Sequence, residues 1–130
     1  MAKTWQFYRS ALDADVVQKE IVKCQLKQHE RLRLGKIMER ASRDELLPKD
    51  RKFLGDGLWE LRLNCGERIF RLFYSLVEGE SPVLLALRFV NKKSTQGAKT
   101  DPVDIDTARK RLSEWQNRPS GDDGAAQTLK

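Results

Sequence analysis

The chain has 130 residues, 34% charged and 39% hydrophobic, which is enough for one globular domain with a modest core. Twenty-five Lys and Arg against 19 Asp and Glu give a formal net charge of +6, which favours polyanionic partners, nucleic acid first. The N-terminal segment MAKTWQFYRS has no apolar stretch of signal-peptide or membrane-spanning length. We therefore expect a cytoplasmic protein with no membrane partner.

Cysteine and histidine usage argues against a metal centre. Cys24 and Cys65 are far apart and form no CxxC pattern, so we expect two reduced thiols. His29 is the single histidine and has no second metal-ligating residue at the spacing of a zinc site. The sequence predicts neither a metal nor a cofactor.

The first half of the chain predicts one strand followed by two helices. The alternating aromatic segment from Thr4 to Arg9 is typical of a strand, and Asp13 or Asp15 then offers a helix N-cap. Two apolar stripes follow at helical spacing, Val17, Ile21 and Cys24, and then Leu34, Ile37, Met38 and Ala41. The charged segment KQHERLRLG between them is compatible with a turn or a continuous helix. Gly35 favours a break, and hence two helices packed as a hairpin.

The second half predicts a three-stranded meander and a last helix. ELLPKDRKFLGDG is interpreted as a connector, with a turn at Gly55-Asp56-Gly57. The apolar runs LWELRL, RIFRLFYSLV and VLLALRFV are then separated by connections of hairpin length. Asp101 suits the N-cap of the final helix, and Pro102 suits its first position. The order β-α-α-β-β-β-α predicts one α+β domain over residues 1–116 and a disordered tail over residues 117–130.

Side-chain alternation sorts each of the three runs into an apolar face and a mixed face. Arg62, Arg71 and Arg88 fall on the mixed faces, and antiparallel pairing in chain order projects all three from one side. Such a basic face is a candidate polyanion site, with Glu60 offsetting part of its charge. The alternative is that these arginines face solvent or pair with acids from a loop. Parity places Tyr74 on the apolar side unless a bulge turns it outward.

The run VLLALRFV ends at Lys92-Lys93, and two roles for this lysine pair are possible. Lysines commonly protect an edge strand against aggregation. They are also positioned to face a phosphate backbone at the end of the strand.

The ordered set LWELR, RIFRLFY, FVNKKSTQ and DP…DIDTARKRL resembles the phage-derived HigB-type toxins of the RelE/ParE superfamily, over about residues 5–116. The resemblance implies a RelE-like α+β domain with helices on one face of a curved antiparallel sheet. It also implies an mRNA endonuclease, usually acting on the ribosome, and a helix-turn-helix antitoxin that neutralises it. Five residues match the family's site pattern, namely Arg62, Arg71, Tyr74, Lys92 and Lys93.

Metal-independent RNA cleavage requires a base, an acid and stabilisation of charge on the phosphorane. Arg62 and Arg71 are our candidates for holding the phosphate. Lys92 or Lys93 is the candidate base or acid, with Glu60 as the rival base. Tyr74 would orient a nucleotide or stack on a base.

Further RNA contacts are expected from Arg68, Arg88 and Lys99. Two other function classes stay open: a ParE-like toxin that inhibits DNA gyrase, and a non-catalytic nucleic-acid-binding module.

Overall fold

Five strands and three α-helices form the α+β domain that the sequence predicts. In this computed structural model, residues 3–92 and 100–118 are described, Lys92 by its backbone alone. The elements are β1 (Thr4–Phe7), α1 (Val16–Lys23), α2 (Gln28–Ser42), a 3₁₀ turn (Pro48–Asp50), β2 (Arg51–Gly55), β3 (Leu58–Asn64), β4 (Ile69–Val77), β5 (Val83–Lys92) and α3 (Pro102–Gln116). Most of the predicted tail, from residue 119 onward, lies outside the described residues. No helix in the described part of the chain is long and apolar enough to cross a membrane.

The sheet has the strand order β1-β5-β4-β3-β2. The predicted meander is confirmed, because β3 pairs antiparallel with β4, and β4 with β5. The first strand joins the far side of β5 in parallel, with Thr4 opposite Val83 and Phe7 opposite Ala86. The sheet is therefore mixed rather than wholly antiparallel, since the N-terminal strand returns beside the last strand.

The interpretation of residues 45–57 as a connector is wrong for β2, which pairs antiparallel with β3. Arg51 and Lys52 at the start of β2 break the apolar alternation by which a strand is predicted. Such charges are typical of a strand at the edge of a sheet. The predicted turn is confirmed. Asp56 and Gly57 have φ of 50° and 80°, so both adopt the left-handed conformation that a two-residue type I′ hairpin turn requires.

The two predicted helices are confirmed, but the break between them lies earlier than Gly35. The chain turns between α1 and α2 at Gln25, which has φ of 51°. α2 runs through Gly35 without interruption. Burial of Leu34 and Ile37 on either side of the glycine supplies the packing that outweighs its weak helix propensity.

The helices contact both faces of the sheet rather than one. The Trp5 indole donates to the carbonyl oxygen of Met38 in α2 at 2.8 Å, on the face that carries Tyr74. On the opposite face, the Arg88 guanidinium donates to Asp104 of α3 at 2.9 Å. Residues 70–75 of β4 are all buried, so each face of this central strand needs a covering layer.

A β-bulge in β5 changes which of its side chains share a face. Phe73 lies opposite Arg88, whereas Tyr74 lies opposite Ala86, so Leu87 is the extra residue. Alternation along VLLALRFV predicts that Ala86 shares a face with Arg88, and this is wrong, because the bulge shifts the alternation by one position.

The N-terminus of α2 is tied to the β3–β4 connection by a buried ion pair. Glu30 accepts from the backbone N–H of Lys27 at 2.8 Å and from the Arg68 guanidinium, whose Nε lies 3.0 Å from Oε2. Arg68 also donates to the carbonyl oxygens of Cys24 and Gln25 at 3.1 and 3.0 Å. The side chain predicted to contact RNA thus holds the turn between α1 and α2, and the start of α2, against the β3–β4 connection.

This ion pair gives the stability a defined pH dependence. The hydrogen bonds from Arg68 lower the pKa of Glu30 from 4.5 to about 2. Because the folded-state pKa lies below the unfolded value, the stabilisation is complete above about pH 5 and is lost as the pH falls toward about 2. We expect Glu30→Gln to be less stable than wild type near neutral pH, with the difference shrinking over that acid range. Urea denaturation at a series of pH values measures it.

Glu67→Gln is the matched control for this titration. Glu67 lies in the same corner but is exposed, and its carboxylate is 3.8 Å from Lys27. Its removal is expected to leave the profile of stability against pH unchanged. A Glu30→Gln difference that stays constant into the acid range would contradict the assignment.

Candidate active site

Arg62 and Arg71 lie directly opposite one another on β3 and β4. Arg88 lies opposite Phe73, one pleat further along the same face, so the predicted common side of the three arginines is confirmed. Like charges on directly opposed residues repel one another. A counter-charge close to the Arg62–Arg71 pair would offset this repulsion.

Glu60 supplies that counter-charge from within the sheet. Its side chain is fully buried, and its Oε2 accepts from Arg71 Nη1 at 2.8 Å. Its other oxygen, Oε1, lies 3.5 Å from Arg62 Nε. One carboxylate thus holds both guanidinium groups, which leaves an excess of positive charge at this point of the sheet.

Thr100 completes the cluster and was missed by the sequence reasoning. Its hydroxyl donates to Glu60 Oε2 at 2.9 Å and accepts from Arg71 Nη1 at 3.1 Å. Thr100 is buried and directly precedes the N-cap of α3. No sequence pattern marks it, because its partners lie 40 and 29 residues away along the chain.

Arg88 is neutralised, so the expected basic face with few counter-charges is wrong at this residue. Its guanidinium donates to Glu20 of α1 at 2.7 Å and to Asp104 of α3 at 2.9 Å. These acids come from the helices that cover this face. The geometry gives Arg88 a structural contact and separates it from the Arg62–Arg71 pair.

Tyr74 lies on the opposite face from the arginines, as its parity predicts. Its ring packs on Trp5 with 5.5 Å between centroids, and only 3% of the residue is exposed. Burial raises the pKa of its hydroxyl. The side chain does not share a surface with Arg62.

The lysine candidates fall at the edge of the described chain. The backbone of Lys92 ends β5 and pairs with Ile69, two residues before Arg71. Lys93 and Lys99 lie outside the described residues.

A cleft of about 850 Å³ opens beside the Arg62–Arg71 pair. It lies between α2, the 3₁₀ turn and the ends of β3 and β4. At this end of the sheet, the pairing of β3 with β2 stops at Leu61. Among the described residues, six cations line the cleft, namely Arg33, Lys36, Arg40, Lys49, Arg62 and Arg71. The one carboxylate in this described lining is Asp50, which accepts from the backbone N–H of Leu47 at 2.9 Å.

The model of the phage-derived Gp49-like protein family matches residues 10–113, which is most of the chain. The protein belongs to the Gp49-like family. This is a RelE/HigB-like toxin family, which agrees with the resemblance at the level of the superfamily. In this Gp49-like chain the matched range includes Glu60, Arg62, Arg71 and Thr100. No curated protein sequence matches the chain at a significant level.

Proposed function

We propose that this Gp49-like protein is the toxin of a type II toxin–antitoxin pair, of HigB type, and that it cleaves mRNA without a metal ion. The observation that carries the proposal is the Arg62–Arg71 pair, held by buried Glu60 at the side of a cleft with six cationic lining residues. Family membership supports the toxin role. The proposal includes action on ribosome-bound mRNA in the cytoplasm and a helix-turn-helix antitoxin as partner.

The chemistry requires the RNA 2′-hydroxyl to attack the adjacent phosphate, which builds negative charge on the phosphorane oxygens. A guanidinium presents paired N–H donors that match two such oxygens. Arg62 is the group that would contact them, because about a third of its side chain is exposed, against 4% for Arg71. Arg71 would act mainly by fixing Glu60, and through it Arg62.

The location of Glu60 favours a positioning role over a role as general base. The carboxylate is fully buried, and its Oε2 already bonds Arg71 and Thr100. Proton transfer stays assigned to Lys92 or Lys93. His29 also lines the cleft, and imidazole is a common acid–base group in enzymes.

Expression in a bacterium of wild type, Arg62→Gln and Lys110→Gln tests the proposal. Lys110 is an exposed cation of α3 outside the cleft, so its substitution controls for the lost charge. We expect wild type and Lys110→Gln to arrest growth and to create new transcript 5′ ends. Arg62→Gln is expected to lose both effects while remaining folded.

Two outcomes would contradict the proposal. Growth arrest with intact transcripts would refute RNA cleavage and favour a gyrase-directed toxin, which a supercoiling assay would then identify. Normal growth with folded wild-type protein would refute the toxin role and favour a non-catalytic binding module.

A further inference from the structure

We propose that the α2 wall of the cleft binds the backbone of single-stranded RNA and leads it to Arg62. The wall consists of His29, Arg33, Lys36 and Arg40, which we call the α2 stripe. This inference rests on the proposed function and names the substrate class and the path that the site would use.

The α2 stripe has the geometry of a continuous track. Its members are four, three and four residues apart, so they lie on one side of the helix, and all four line the cleft. At a rise of about 1.5 Å per residue, the stripe extends for about 17 Å. Lys49 of the 3₁₀ turn also lines the cleft and adds a further cation to it.

The cations of the stripe are not used to hold the fold together. The side chains of Arg33, Lys36 and Arg40 are exposed, and none forms a salt bridge or hydrogen bond with another residue in the described part of the chain. Neighbouring arginines, one on α2 and one at its C-cap, behave differently. Arg31 donates to the carbonyl oxygen of Leu26 at 2.7 Å, and Arg43 pairs with Glu39 at 3.1 Å.

The cleft also offers apolar surface between its cations. Leu32 lines it with 63% of the residue exposed, and Ile37, Leu63 and Ile69 contribute to the lining. Apolar surface contacts the bases of a single strand, which are accessible, whereas a duplex stacks its bases inside. The cleft thus combines cations that can contact phosphates with apolar side chains that can contact bases. This combination favours single-stranded RNA over a duplex.

Binding of a 2′-O-methyl single-stranded RNA of roughly 12 nucleotides tests the track, because this probe lacks the attacking hydroxyl and is not cleaved. Fluorescence anisotropy gives its affinity at salt concentrations from about 50 to 200 mM. We expect Lys36→Gln/Arg40→Gln to lower the slope of log K against log salt by about 1.4, or about 0.7 per phosphate contact. The affinity at low salt should fall at least about tenfold.

The double variant Lys19→Gln/Lys110→Gln removes the same charge from exposed positions on α1 and α3 outside the cleft, and it should retain the wild-type slope. An equal loss of slope in both double variants would overturn the proposal, as would tighter binding of duplex RNA. Cleft-dependent binding without mRNA cleavage would refute the nuclease while supporting the RNA track. Cleavage with unaltered binding in Lys36→Gln/Arg40→Gln would refute the track alone.

Discussion

Glu60→Gln is expected to lower the free energy of unfolding by about 3–5 kcal/mol, the usual cost of breaking a buried ion pair by removing one partner. The carboxylate lies 2.8 Å from Arg71 and 3.5 Å from Arg62, and it is fully buried. Its neutralisation leaves two directly opposed guanidinium groups without the negative charge between them. Urea denaturation of the variant and of wild type measures the loss.

Asp56→Asn is the matched control for this substitution. It neutralises the carboxylate that pairs with Arg109 at 3.3 Å, but Asp56 is 91% exposed, so we expect a change of at most about 1 kcal/mol. Asparagine also tolerates the positive φ of this turn position.

Glu60→Gln also distinguishes the two roles considered for Glu60, namely positioning of the arginines and action as the general base. A positioning role predicts that stability and RNA cleavage fall together. If Glu60→Gln were as stable as wild type and yet inactive, the carboxylate would act as the general base instead.

Thr100→Val is expected to slow the proposed mRNA cleavage by about 10- to 100-fold while the protein stays folded. The hydroxyl bonds both Glu60 and Arg71, and a hydrogen bond to a charged group contributes about 1.5–3 kcal/mol. That free energy, if lost from the positioning of Arg71, corresponds to one to two powers of ten in rate, at about 1.4 kcal/mol per tenfold. Single-turnover cleavage of a defined mRNA measures it, and the loss should lie in the rate constant at saturating protein rather than in the protein concentration that gives half of that rate.

Thr100→Ser restores the hydroxyl without the methyl group and is expected to recover most of the rate. Thr107→Val is the matched control, since the Thr107 hydroxyl donates only to the carbonyl oxygen of Val103 within α3. A rate unchanged by Thr100→Val, or a loss that serine does not repair, would remove Thr100 from the site.

Local patterns in the sequence predicted the helices and the strands other than β2, because their causes are local. Alternation identified the meander, and helical spacing identified α1 and α2. Asp101 accepts from the backbone N–H of Val103, and Pro102 begins α3, as capping preferences predict. Asp56-Gly57 forms the predicted tight turn because few residue pairs tolerate two positive φ angles.

The candidate site was predictable only in part. Parity placed Arg62 and Arg71 on one face and Tyr74 on the other, because alternation along a strand needs no tertiary information. Alternation does not predict which helices pack on that face. The sequence therefore left open whether Arg88 faces solvent or pairs with acids from a loop, whereas acids from two helices neutralise it.

By itself, the sequence determined the helices, the strands other than β2, the basic character of the protein and the shared face of its arginines, because these depend on neighbouring residues and on composition. Tertiary structure alone decided that Glu60 is buried between two guanidinium groups and that Thr100 completes the cluster. It also decided that α2 carries cations along a cleft, and these side chains pair with no other residue in the described part of the chain. Each of these features joins residues far apart in the chain. Their contacts form only where β3, β4, α2 and the approach to α3 meet.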